Sequence, residues 1–256
     1  MNKQLETLIE ITRRAGKIML EASVGAGDIS SKEGHANFVT VYDVAVQKFL
    51  KKELAAFMPD AAFYGEEGEK VEVGKGYTFI VDPIDGTTNF ICGYQMSAVS
   101  VGLVLDGEAV MGVVYNPFRE ELYYAQKDEG AFLNGKPLKV AERGLKDGVV
   151  CFGTSPYNAE YTDRTFKAMR TLLPLSMDLR RQGSAALDIS YIAANRNVCF
   201  FECILSPWDY AAAGCILKEA GGVLMTMEGE AADFNKKTSI LAGTKTAVEE
   251  FLKLGL

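Results

Sequence analysis

Apolar residues recur near the helical period at Leu5, Leu8, Ile9, Ile11, Ala15, Ile18 and Met19, which predicts an amphipathic first helix. Gly25–Gly34 reads as a flexible polar loop. Thr40 is placed to cap a second helix, with Asp43 in its first turn, Val44, Leu50, Leu54 and Phe57 on its inner face, and Pro59 closing it. The period then shortens. Tyr77–Val81 is an apolar strand that runs into Asp82. Ser97–Leu105 and Ala109–Tyr115 flank Asp106-Gly107, a hairpin signal. Glu121–Ala125 and the stretch around Phe132, with Asn134-Gly135 and Pro137, continue the meander.

Beyond residue 140 the elements alternate. Strands are predicted at Val149–Gly153, near Leu179, and at Val198–Ile204, Val223–Met227 and Ser239–Ala242. Helices are predicted at Asp163–Leu173, Ser184–Ala194, Trp208–Ala220 and Val248–Leu254, the third ended by Gly221-Gly222. No repeat or linker divides the chain. The pattern predicts an α+β chain in layered helix and sheet, with a half over residues 1–140 (two helices and a largely antiparallel sheet) packed as one unit on an α/β half over 141–256.

Composition narrows the function. The chain has 256 residues, 48% of them hydrophobic, enough for a sizeable core. No apolar run approaches the ~20 residues that span a bilayer, and charges run through the first twenty positions, so no membrane or secretory role is expected and the cytoplasm is the expected location. Five cysteines without a CxxC pair predict reduced, mostly buried thiols rather than disulfides or a zinc site. A net charge of −7 argues against a nucleic-acid surface. An acidic protein that handles a phosphate needs something positive between them, and a bound metal ion meets that need.

The candidate chemistry lies in Asp82-Pro83-Ile84-Asp85-Gly86-Thr87. Two carboxylates three residues apart at a turn can converge on one hard cation, or simply cap backbone amides. Gly86 permits a sharp turn, and the amides after it would face an anion at a helix start. Two further segments favour the metal. Gly65-Glu66-Glu67 sets acids at the end of a strand just upstream, and Pro207-Trp208-Asp209 sets one in the first turn of an apolar helix, where a buried acid needs a partner or a metal.

With these segments in view, the chain resembles the inositol monophosphatase family of lithium-sensitive, metal-dependent phosphatases. The family's signatures appear as Asp82–Phe90 and Trp208–Gly214, continuing into Glu219-Ala220-Gly221-Gly222. Gly65-Glu66-Glu67, Lys32, Val39-Thr40 and Asp43 follow the family's order and spacing, so the likeness covers essentially the whole chain. The resemblance implies a layered α-β-α-β-α sandwich and two or three Mg2+ ions per site. One ion would be held by Glu66, Asp82 and the carbonyl of Ile84, and a second by Asp82, Asp85 and Asp209; a third would lie near Glu66. It further implies an attacking water oriented by Thr87 and Asp43, and a phosphate resting on the amides of Gly86 and Thr87. For the alcohol it implies Gly183-Ser184-Ala185 and Glu202, with Asp85 and Asp209 beside them. Ser184 stands where inositol-acting members often carry threonine; as structure alone, Ser184 could be a helix cap and Glu202 an exposed strand residue. A homodimer acting on a small phosphate ester, most closely myo-inositol monophosphate, is what the family suggests.

Other phosphatase chemistries lack their residues. No cysteine is followed six positions later by arginine, the single histidine excludes two-histidine transfer, and Asp82 and Asp85 are three apart where an aspartyl-phosphate enzyme needs two. Gly130–Lys136 nearly spells a P-loop, but Pro137 replaces the hydroxyl residue. His35 reads as a surface residue. Relatives acting on histidinol phosphate, fructose 1,6-bisphosphate, NADP or adenosine 3′,5′-bisphosphate share the metal site, and Thr88-Asn89-Phe90 favours the inositol type. A transcription-associated binding factor is the alternative from another class.

Overall fold

The computed structural model describes residues 3–31, 38–68 and 71–256. Lys32 and His35, both singled out above, lie outside the described residues. Helix α1 (Lys3–Leu20) buries Leu5, Leu8, Ile9, Ile11, Ala15 and Met19, the stripe that its spacing predicts. Each of these Leu, Ile and Met side chains taken out of water stabilises by about 1.5–3 kcal/mol before chain entropy is set against it. A short ribbon, β1 (Ile29–Ser31) with β2 (Phe38–Thr40), follows. Part of the stretch expected to be loop is therefore paired strand.

Thr40 caps α2 (Val41–Phe57), its hydroxyl accepting from the amides of Tyr42 and Asp43. Leu50 and Leu54 face inward as expected, joined by Val46, while Val44 is 54% exposed. A difference of two positions turns a helical side chain by about 200°, so Val44 and Val46 cannot share a face.

The larger sheet has strand order β3-β4-β5-β6-β7-β8-β9, from β3 (Ala62–Gly65), β4 (Tyr77–Asp85), β5 (Ala98–Leu105), β6 (Glu108–Asn116), β7 (Glu121–Gln126), β8 (Gly130–Leu133) and β9 (Lys136–Leu138). Only the β3–β4 pair is parallel. Asp106-Gly107 and Asn134-Gly135 close hairpins with positive φ at both residues, as tight turns of this sequence demand. The smaller sheet runs β11-β10-β12-β14-β13, from β10 (Val149–Phe152), β11 (Asp178–Arg180), β12 (Cys199–Leu205), β13 (Val223–Met225) and β14 (Thr238–Gly243). It is mixed, with β10 parallel to both neighbours and β14 antiparallel to both of its own.

Five layers result. Helices α1 and α2 cover one face of the larger sheet. Helices α5 (Ala185–Ala193) and α6 (Pro207–Glu219) fill the space between the sheets. Helices α4 (Thr162–Leu172) and α7 (Lys245–Leu252) close the far face of the smaller sheet. The remaining helix, α3 (Thr87–Ile91), is one short turn beside the site. No described helix is long and apolar enough to cross a membrane. Four of the five cysteines are buried and Cys92 is exposed.

The central helix α6 approaches the larger sheet unusually closely. Gly102 and Gly112 are cross-strand partners on β5 and β6, and Ala211 and Ala212 of α6 lie directly on them. A Cβ on Gly112 would stand 2.2 Å from the carbonyl oxygen of Ala212. Two side-chain-free positions thus seat the helix that carries Asp209.

Candidate active site

Strand β4 was expected to end at Asp82; it continues through a bulge to Asp85. Asp82 pairs with Ser100 and Asp85 with Ala98, so three steps on β4 match two on β5. Residues three apart in a regular strand point to opposite faces, and the extra residue cancels that alternation. Pro83 sits in the bulge, where its missing N–H breaks no regular ladder. The amide of Ile84 donates to Asp82 Oδ1 at 3.0 Å. Gly86 then turns the chain with φ 88°, and a Cβ there would meet the carbonyl oxygens of Met96 and Gly183 at 2.9 and 3.0 Å.

The result is a cluster in which Asp82, Asp85 and Asp209 each bring a carboxylate oxygen within 4.8 Å of the others. Asp209 stands in the first turn of α6, its Oδ2 accepting from the amide of Ser206 at 2.7 Å. Asp85 accepts from the hydroxyl of Ser184 at 2.5 Å and the amide of Ala186 at 2.8 Å, which ties it to the start of α5. Ser184 is also the α5 cap, accepting from Leu187. The helix-cap reading of Ser184 therefore holds, and the same hydroxyl reaches the carboxylate cluster.

Glu66 lines the same cleft, and its charge acts on both Asp82 and Asp209. Its loop is held from α2, where Gln47 accepts from the amide of Glu67 at 2.8 Å and donates to its carbonyl. Asp43, nearly fully buried, accepts from the amide and hydroxyl of Thr40 at 2.7 and 2.5 Å. The hydroxyl of Thr87 lies 3.2 Å from Asp43 Oδ1 and 3.1 Å from the carbonyl oxygen of Ile84. Thr87 and Asp43, paired by resemblance, are thus in contact across 44 positions of sequence.

Glu202 is buried rather than exposed. Its Oε1 accepts from the amide and hydroxyl of Ser155 at 2.9 and 2.8 Å. Gly183, Ala185 and Asp188 complete this wall.

Asp43, Asp82, Asp85, Asp188, Glu202 and Asp209 all resist ionisation. Burial, then the charges of Glu66, Asp85 and Asp209, holds Asp82 well above its ordinary range. Burial lifts Asp85 to about 6 against the opposing hydrogen bonds from Ser184 and Ala186. Burial followed by Asp85 and Glu66 raises Asp209 well above its ordinary range. Burial brings Glu202 to about 7 and raises Asp43 and Asp188. Six carboxylates line the cleft (Glu66, Asp82, Asp85, Asp188, Glu202 and Asp209), and among its described residues Arg181 is the one cation. Such a cleft repels a phosphate dianion until cations enter, and an all-oxygen donor set suits a hard divalent ion.

Polar residues that escaped the sequence reading include Tyr157, Arg181 and Asp188, which line the cleft, and Ser155, which bonds to Glu202. Asp188 carried a signal, as the one acid in the otherwise uncharged helix 185–193. Ser155 and Tyr157 carried none, because the pairing of β10 with β12 brings their loop to Glu202.

A layered fold with an acid-lined cleft fits a phosphoric monoester hydrolase, and comparison with known proteins shows that class. An inositol-1-monophosphatase of Rhizobium meliloti (strain 1021) is 36% identical over 228 residues, 88% of this chain and 86% of that one. A Nus factor SuhB of Salmonella typhimurium (strain LT2) is 32% identical over 255 residues, 98% of this chain and 95% of that one. The solved structure of a Thermotoga maritima IMPase has a TM-score of 0.88 at 31% identity, covering 99% of this chain and 96% of that one. Residues 1–254 match the inositol monophosphatase family, and the chain belongs to it.

Proposed function

We propose that the protein hydrolyses the monophosphate of a small cyclic polyol, most closely myo-inositol monophosphate, with Mg2+ as cofactor. The observation that carries this reading is the cluster of Asp82, Asp85 and Asp209 within 4.8 Å, the first two buried and the third half-buried, with little positive charge beside them. Glu66, Asp82 and the carbonyl of Ile84 would hold one ion, and Asp82, Asp85 and Asp209 a second, with a third near Glu66. Magnesium held there would supply the charge to draw phosphate oxygens in, acidify water and steady the departing alkoxide.

The chain's own groups do the rest. Asp43 accepts from the hydroxyl of Thr87, which leaves the Thr87 oxygen free to accept a proton from the attacking water. The amide and hydroxyl of Thr40 both fix Oδ2 of Asp43, so the pair is held before substrate arrives. The amides of Gly86 and Thr87, at the turn that only glycine can make, receive the phosphate. Glu202 and Asp209 accept hydrogen bonds from ring hydroxyls, with Gly183, Ser184 and Ala185 forming the wall beside them.

The test is release of phosphate from myo-inositol 1-phosphate, histidinol phosphate, fructose 1,6-bisphosphate and adenosine 3′,5′-bisphosphate with magnesium, then with chelator. Turnover of the polyol ester ahead of the others supports the reading, and preference for a bisphosphate overturns the substrate assignment.

A second reading, a transcription-associated binding factor, is favoured by the relative named as a Nus factor. It predicts that an inactive Asp85→Asn protein keeps its biological effect. A homodimer is supported by Phe166, Leu173, Leu175 and Met177, large apolar side chains left in water within one short stretch; sedimentation as a monomer at micromolar concentration overturns it. Reduced thiols, four of them buried, suit a cytoplasmic location.

A further inference from the structure

Residues 153–157, which follow β10, contribute Gly153, Pro156 and Tyr157 to the cleft, yet the chemistry above uses none of them. This segment is built around Glu202. A Cβ on Gly153 would fall 1.8 Å from a carboxylate oxygen of Glu202, so only glycine lets that side chain lie where it does. Ser155 is buried and adopts φ 39°. That left-handed backbone is disfavoured for a side chain with a Cβ, and doubly so before Pro156, which drives its predecessor toward extended backbone. Strain of this kind persists where the surroundings fix it, and here the amide and hydroxyl of Ser155 both donate to Glu202.

Tyr157 follows the strained residue by two positions. Tyr157 leaves 45% of its surface in water while lining the cleft. Its hydroxyl has no hydrogen-bond partner among the described residues. Tyr157 lines the same cleft as Glu202 and Asp209; desolvation, then the charges of Asp209, Glu202, Glu66 and Asp82, raises its phenol pKa, so the hydroxyl stays able to donate. A polyol hydroxyl that donates to Glu202 or Asp209 keeps lone pairs that no carboxylate can satisfy. Tyr157 offers the missing donor, together with an aromatic face.

We propose that Tyr157 is a substrate-contacting specificity residue, donating to a ring hydroxyl of a cyclic polyol phosphate and covering its ring, and that Ser155 is the positioning residue that holds it there through Glu202. This inference rests on the polyol-phosphate reading above. It implies discrimination against esters whose alcohol part has no hydroxyl to accept.

The experiment measures kcat and KM for myo-inositol 1-phosphate and for p-nitrophenyl phosphate, at saturating magnesium, in the wild type, Tyr157→Phe, Tyr157→Ala and Ser155→Ala. The readout is the ratio of the two kcat/KM values. Tyr157→Phe is expected to lower that ratio about five- to tenfold, as loss of one neutral hydrogen bond does, with the change carried by KM for the inositol ester. Ser155→Ala is expected to move the ratio the same way, again through KM, whereas a merely structural defect lowers kcat for both esters together. An unchanged ratio in both Tyr157 variants, or an equal fall in kcat for both esters, overturns the proposal. A wild type that cleaves p-nitrophenyl phosphate but not the inositol ester overturns the polyol reading and this proposal with it; a wild type that cleaves both, with unchanged ratios in the variants, overturns this proposal alone.

Discussion

Substituting Gly112 by alanine should damage the active site through helix α6, which packs directly on that position. The new Cβ would lie 2.2 Å from the carbonyl oxygen of Ala212 and 3.0 Å from its carbonyl carbon. Both are helix backbone, so no rotamer change relieves the clash, and α6 must retreat by about 1 Å to reach ordinary contact. Overpacking of this kind costs about 1–3 kcal/mol, or roughly 2–10 °C in Tm for a chain of this size. Asp209 is three residues from Ala212 on the same helix, about 4.5 Å along its axis, and moves with it. A displacement near 1 Å in a catalytic group costs on the order of a hundredfold in rate. Thermal melting by circular dichroism and steady-state phosphate release read the two effects together. Gly74→Ala, where a Cβ would meet open space, is the control. The reasoning fails if Gly112→Ala melts within about 1 °C of the wild type and keeps kcat/KM within about twofold.

Further predictions concern charge, nucleophile and metal. Glu202 has a folded pKa of about 7 against an ordinary 4.5, raised by burial, so the folded chain holds that proton more tightly than the unfolded chain. The stabilisation is full below about pH 4.5 and lost as pH rises through 7; Glu202→Gln should therefore melt higher than the wild type at pH 8, by on the order of 2–3 kcal/mol, with the gap closing toward pH 4.5. A gap that is the same at both pH values contradicts this. Thr87→Ala should lower kcat about 10²- to 10⁴-fold with KM little changed, and a loss confined to KM would assign Thr87 to substrate binding instead. Magnesium at about 100 times its Kd should stabilise the fold by about 2.7 kcal/mol, read as a Tm shift that chelator reverses; the triple Asp82→Asn, Asp85→Asn, Asp209→Asn protein should show no such shift.

The sequence-level reading was strongest where a period or a motif is local. The α1 stripe, the Thr40 cap and the Asp-Gly and Asn-Gly hairpins follow from neighbouring residues, and all stand as expected. Val44 misled because an apolar residue in an amphipathic helix need not share the buried face. The stretch from Gly25 hid strand β1 because three half-polar residues carry no alternation to read. At the site, Asp82, Asp85 and Asp209 were legible through their segments, but the reason that Asp82 and Asp85 share a face was not. It depends on a bulge that exists only in register with β5. The Thr87–Asp43 contact and the Ser155 clamp on Glu202 likewise come from packing between distant segments.

The central claim, that this carboxylate cluster runs metal-dependent hydrolysis of a polyol phosphate, is tested most directly by one comparison. Phosphate release from myo-inositol 1-phosphate is followed with magnesium, with chelator, and in Asp85→Asn. The account predicts turnover that needs magnesium and falls to background in the variant. Turnover that survives both chelator and the Asp85→Asn change would contradict it.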